Sequence, residues 1–156
     1  MGIRLQSDRP VLTLILPSGD DREQAGKTMS YYFAKTLPVG FDAAVARATA
    51  ALKQQGFGVI TEIDVKQTLK AKIGVDFRSY RILGACNPKL AHEALQLEDK
   101  IGTMLPCNVV VREIAADKTE VAAIDPVASM AAIDNPRLKA AAQQVQALLQ
   151  KVIASL

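Results

Sequence analysis

Between residues 31 and 156 the chain switches repeatedly between two hydrophobic periods, and this switching restricts it to helices layered on a sheet. A repeat of two suits a half-buried strand, and a repeat near 3.6 suits a helix with one buried stripe. Residues 31–37 read as the first strand. Gly40-Phe41-Asp42 opens a helix whose Phe41, Val45, Ala48 and Leu52 form one stripe, with Gly56 placed to end it in the left-handed conformation. Residues 58–65 alternate, with Val59, Ile63 and Val65 on one side and Glu62 and Asp64 on the other. A short helix over 66–73 turns Leu69 and Ile73 inward and stops at Gly74.

The third strand covers 78–86, and Asn87-Pro88 follows as an N-cap with proline at the first helical position. That helix runs to about Leu97, with Leu90, Ala94 and Leu97 inward. Residues 107–114 and 118–125 form a hairpin around Ala115-Ala116-Asp117. Asn135-Pro136 repeats the cap and starts the longest helix, whose buried face is Leu138, Val145, Leu149, Val152 and Leu156. The order β-α-β-(α)-β-α-β-β-α predicts an α+β two-layer sandwich, a mixed, mostly antiparallel sheet with helices on one face.

Residues 29–156 are expected to form this single domain, and residues 1–28 an N-terminal extension, or an edge strand through the apolar run 11–16. That run is too short for a membrane span or a secretory core. The two cysteines cannot build a disulfide framework. A cytoplasmic protein of bacterial type is therefore expected. The net charge of +3 is mild and lies wholly outside the first 28 residues, which argues against a nucleic-acid partner. Hydrophobic residues make up 49% of the chain and aromatics only 4%, so the core must pack by aliphatic interdigitation.

Four stretches carry a family resemblance: Gly56-Phe57-Gly58; Lys72-Ile73-Gly74-Val75-Asp76-Phe77; Tyr80-Arg81-Ile82-Leu83-Gly84-Ala85-Cys86-Asn87-Pro88; and Leu105-Pro106-Cys107-Asn108-Val109-Val110-Val111-Arg112-Glu113. In this order and spacing they resemble the domain-of-unknown-function 302 family across about residues 29–156. The resemblance implies a small α+β fold and homodimers, and implies no activity.

Cys86 is the first candidate for chemistry. It stands one residue before a helix cap, where peptide N–H groups and the helix dipole favour a thiolate. The bland alternative is a small apolar residue where strand meets helix. Cys107 is in phase with Val109 and Val111 on the packed face, as a core cysteine would be. A four-residue hairpin connection pairs Ile114 with Thr119 and sets Asn108 opposite Asp125, an amide and a carboxylate beside Cys107. Whether the two thiols meet depends on the strand direction after the helix that begins at Pro88, which the sequence leaves open.

Lys66, Lys70, Lys72, Arg78 and Arg81 form a basic cluster against only Asp76. An anionic ligand could dock there, with Lys72, Arg81, Cys86 and Asn87 as its contacts; a solvated helix face is the plain alternative. His92 is the only histidine and has no partner at zinc-site spacing, so neither a metal nor a cofactor is expected.

The hairpin has apolar residues on both faces, Val109, Val111, Ala122 and Ile124 on one and Val110, Val121 and Ala123 on the other. One helical layer can cover only the first set, so a homodimer is expected to cover the second. The leading expectation is a non-enzymatic dimeric module for binding a small anionic or apolar ligand, or for interaction. The alternatives are a thiol-dependent redox, sulfur or acyl-handling protein using Cys86 or Cys107, and a scaffolding subunit without a pocket.

Overall fold

The computed structural model describes residues 30–156, so the expectation for residues 1–28 lies outside the described residues. Five strands, β1 (Tyr32–Leu37), β2 (Gly58–Asp64), β3 (Tyr80–Cys86), β4 (Cys107–Ala115) and β5 (Lys118–Ile124), form one sheet in the order β1-β5-β4-β3-β2. Every neighbouring pair is antiparallel, so the sheet is not mixed. Helix α1 (Phe41–Gln54) carries the chain from one edge strand to the other, and α2 (Val65–Ile73) and α3 (Pro88–Leu97) follow β2 and β3. After α3 a 3-10 turn (Ile101–Met104) brings the chain back, and β4 runs against β3. The short α4 (Pro126–Ser129) and the long α5 (Pro136–Ala154) complete the order.

The local signals act as their chemistry dictates. Gly56 takes φ 82°, the left-handed conformation that β-carbon sterics penalise, and the following Phe57 N–H donates back to Leu52 O. The side chains of Asn87 and Asn135 accept from Leu90 N and from Arg137 and Leu138 N, with proline opening each helix. Helices α1 and α5 cover one face of the sheet. Ala44, Ala48 and Leu52 from α1 and Leu149, Val152 and Ile153 from α5 pack against Leu37, Leu83, Val109, Val111, Val121 and Ala123. Phe41 and Val45, expected in the stripe, sit half-buried at its margin, as do Val145 and Leu156. A second cluster joins α3, the 3-10 turn and the first half of α5 through Ala94, Ile101, Met130, Leu138 and Ala142.

Two further expectations need correction. Ile73 of α2 does not turn inward: it is 66% exposed, and no residue of that helix is buried. Among the described residues helix α2 packs mainly against β2 and β3, at one edge of the sheet. The hairpin register also differs by one residue. A two-residue turn, Ala116-Asp117, pairs Ala115 with Lys118, and an irregularity between Glu113 and Ala115 then slips the ladder so that Glu113 faces Thr119. Beyond the slip Val111 pairs with Val121 and Val109 with Ala123. Because the pleat alternates with a period of two, one extra residue exchanges the faces of an entire strand. Val121 and Ala123 therefore join Val109 and Val111 under the helices, while Ala122 and Ile124 join Val110 on the open face.

Candidate functional site

The site residues read from the sequence separate once the ladder is in place. Because β4 returns against β3, Cys86 and Cys107 lie at the same end of adjacent strands. The register nevertheless pairs Cys107 with Ala85, so pleat alternation directs the two cysteine side chains to opposite faces. Both are free thiols, Cys86 half-buried and Cys107 buried. Burial, with a smaller contribution from neighbouring Cys86, pushes the Cys107 thiol up to about 11. Cys107 is thus a neutral core side chain. Asn87, next to Cys86, uses its side-chain oxygen to cap α3.

Asn108 and Asp125 do not flank Cys107. The slipped ladder sets Asn108 beside Gly84 on the open face, and Asp125 lies past the end of β5. Asp125 Oδ1 accepts from Val127 N and Ala128 N at the start of α4, and both carboxylate oxygens accept from Gln146 Nε2 at 3.0 and 3.1 Å. It is a buried cap that fastens α4 to α5.

The basic cluster also loses its strongest member. Arg81 Nη1 donates to Glu62 at 2.8 Å, Nη2 lies 3.4 Å from Asp64, and the guanidinium sits over the Phe41 ring, 5.4 Å from its centroid. Glu62 and Asp64 are on β2, paired across from β3, and sequence proximity to Lys66–Lys72 hid this pairing. Lys70 forms an exposed ion pair with Asp76 at 2.8 Å, and Lys72 stays exposed. His92 is exposed on α3, and among the described residues no group of three or more His, Cys, Asp or Glu side chains is arranged to hold a metal.

A different arrangement emerges on the sheet face that α1 and α5 leave open. Val110, Ala122 and Ile124 floor a groove of about 310 Å³, and Tyr31, Tyr32 and Tyr80 border it. These are all the tyrosines of a chain that has no tryptophan. Tyr31 and Tyr32 meet edge-to-face with ring centroids 4.9 Å apart. Arg112 and Glu120, cross-strand partners on β4 and β5, lie in the groove and bond Nε to Oε1 at 2.7 Å. That bond holds the Arg112 guanidinium charged more firmly than usual against the opposing cost of burial, with smaller contributions from Tyr80 and Tyr32. Among the described residues no partner is found for the two terminal nitrogens of Arg112 or for Glu120 Oε2, and solvent reaches all three. Asn108 adds an amide to the same wall.

Sequence reasoning missed this groove because it assigned β5 the opposite phase. The signal was nonetheless present, as Asn108, Val110 and Arg112 alternate on one strand and Glu120, Ala122 and Ile124 on the next.

Among the described residues, an antiparallel five-stranded sheet with one face under helices and the other open around a tyrosine-bordered ion pair defines an α+β two-layer sandwich. The chain belongs to the family described as "Domain of unknown function DUF302", whose model matches residues 33–156. It is similar to the crystal structure of an uncharacterized conserved DUF302 protein from Bacillus stearothermophilus. The two are 28% identical with a TM-score of 0.73, over 80% of this chain and 96% of that one. A search of curated proteins finds no match. No helix among the described residues is long and apolar enough to cross a membrane.

Proposed function

We propose that this protein is a non-enzymatic small-ligand-binding module, a cytoplasmic homodimer whose site is the open-face groove. The observation that carries the reading is the ion pair of Arg112 and Glu120, set among apolar floor residues and three tyrosines on a sheet face that no described helix covers. A concave, mostly apolar site with a few placed polar groups is the usual form of a small-molecule pocket, and about 310 Å³ lies at the lower end of the usual size. The homodimer is supported by a second feature. Ile60 and Ile63 on edge strand β2, and Ile73, Val75 and Phe77 in and after α2, each leave a large apolar side chain exposed. A strand that forms the sheet's edge among the described residues, beside exposed apolar side chains, favours a second copy.

The tyrosines make the site directly observable. Native tyrosine emission arises only from Tyr31, Tyr32 and Tyr80, so a ligand entering the groove is expected to change it while leaving far-ultraviolet dichroism unchanged. Emission that responds to no member of a metabolite panel would count against the groove as a site. Light scattering at micromolar concentration is expected to give twice the chain mass, and a monomer would remove the homodimer.

The thiol-dependent alternative is reduced to Cys86, because Cys107 is buried and held protonated. In native buffer at pH 8 an alkylating reagent is expected to leave Cys107 at least ten-fold slower than it reacts in denaturant. Fast labelling of Cys107 would revive that reading.

A further inference from the structure

The groove carries one cation, Arg112, and one anion, Glu120, bonded to each other. We infer that its ligand is a flat, uncharged nitrogen heterocycle of the purine or pterin class, read along an edge that carries both hydrogen-bond donors and an acceptor. This rests on the groove being a binding site and adds the chemistry of its occupant.

Charge complementarity comes first. Arg112 and Glu120 are bonded to each other, so a bare anion entering beside Arg112 also meets the Glu120 carboxylate, and a cation meets the reverse. Neither sign of ligand gains much from a neutral pair. What the pair leaves open is directional. Among the described residues only Nε of Arg112 is engaged, so its terminal nitrogens present donors, and Oε2 of its partner Glu120 presents an acceptor. A ligand edge with a carbonyl or ring nitrogen facing Arg112 and N–H groups facing Glu120 satisfies both without disturbing the bond between them. Guanine and pterin edges have this pattern, and carboxylate–N–H bonds are of the stronger, charge-assisted kind.

Shape comes second. The floor is Val110, Ala122 and Ile124, with Tyr31 and Tyr32 on the β1 side and Tyr80 on the β3 side. Tyrosine rings at both sides of an aliphatic floor favour a planar π system over a branched aliphatic one, since aromatic faces and edges gain from stacking.

The test titrates the full-length protein with guanosine, inosine and benzoate, following the ring resonances of Tyr31, Tyr32 and Tyr80 by NMR. Guanosine is expected to shift them saturably. Inosine, which lacks the 2-amino donor, is expected to bind about ten-fold more weakly, and benzoate more weakly still. Glu120→Gln is expected to weaken guanosine at least ten-fold while strengthening benzoate, because it removes the acceptor and frees the Arg112 charge. Tyr80→Leu, with the ion pair kept, is expected to weaken guanosine without favouring benzoate; circular dichroism checks that both variants fold. Benzoate binding better than guanosine to the unaltered protein, or all three probes binding equally, would overturn the ligand class and leave the groove standing. No shift of any tyrosine by any probe would remove both.

Discussion

Raising the pH from 9 to 11 is expected to cost the folded protein about 2 kcal/mol through Cys107 alone. Its thiol is raised from the ordinary 9.0 to about 11 on folding, chiefly because burial beneath the helices disfavours the thiolate, with the neighbouring Cys86 adding to the effect. In the unfolded chain the same thiol loses its proton near pH 9. Between the two values the folded state therefore binds more protons than the unfolded state, and stability must fall as pH increases. Well below pH 9 both states are protonated and the group contributes nothing to the slope. A tenfold change in acidity corresponds to about 1.4 kcal/mol, which sets the size of the loss. Urea unfolding at pH 8, 9, 10 and 11 under reducing conditions, performed on the native chain and on Cys107→Ala, isolates this residue because lysine and tyrosine titrations are common to both. The native chain should lose about 2 kcal/mol more than the variant between pH 9 and 11. Parallel curves would mean that Cys107 ionises in the folded state as easily as in water.

The same residue illustrates what was legible in the sequence. Its phase with Val109 and Val111 put it on the packed face from local alternation, and the helices were equally readable because glycine, asparagine and proline signal their ends chemically. What local pattern could not supply was register. A hairpin with a two-residue turn and a slip between Glu113 and Ala115 differs by a single residue from one with a four-residue connection, and both bring apolar residues to each face. The consequence reached the site directly: Asp125 moved from the neighbourhood of Cys107 to a helix cap, and Glu120 came to face Arg112. Arg81 was misplaced for a related reason. Its partners Glu62 and Asp64 are seventeen or more residues away in sequence and become neighbours only through the β2–β3 ladder. Pairings across strands carry the groove, and they are the part of a β-containing fold that periodicity specifies least.

Gly84 is where two of those ladders meet most tightly, and replacing it with alanine is expected to cost about 1–3 kcal/mol by overpacking. Gly84 pairs with Thr61 on β2 and with Asn108 on β4. A β-carbon there would stand 2.0 Å from Thr61 Oγ1, 2.8 Å from Pro106 Cγ and 3.3 Å from Thr61 Cβ. The backbone itself is unexceptional, so the requirement for glycine comes from space alone. Thr61 occupies the volume that a side chain at 84 would need, and Pro106 closes it from the β4 side. Moving the threonine hydroxyl relieves the first clash but not the second, which predicts a partial rescue. Thr61→Ala alone should be mild because Thr61 is exposed, and the double variant Thr61→Ala, Gly84→Ala should regain about 1 kcal/mol of what the single Gly84→Ala loses. Thermal unfolding reads this as a drop in Tm on the order of 5–10 °C for Gly84→Ala, smaller for the double. A Gly84→Ala protein as stable as the parent would mean that β2 and β4 do not close on β3 as tightly as this ladder requires.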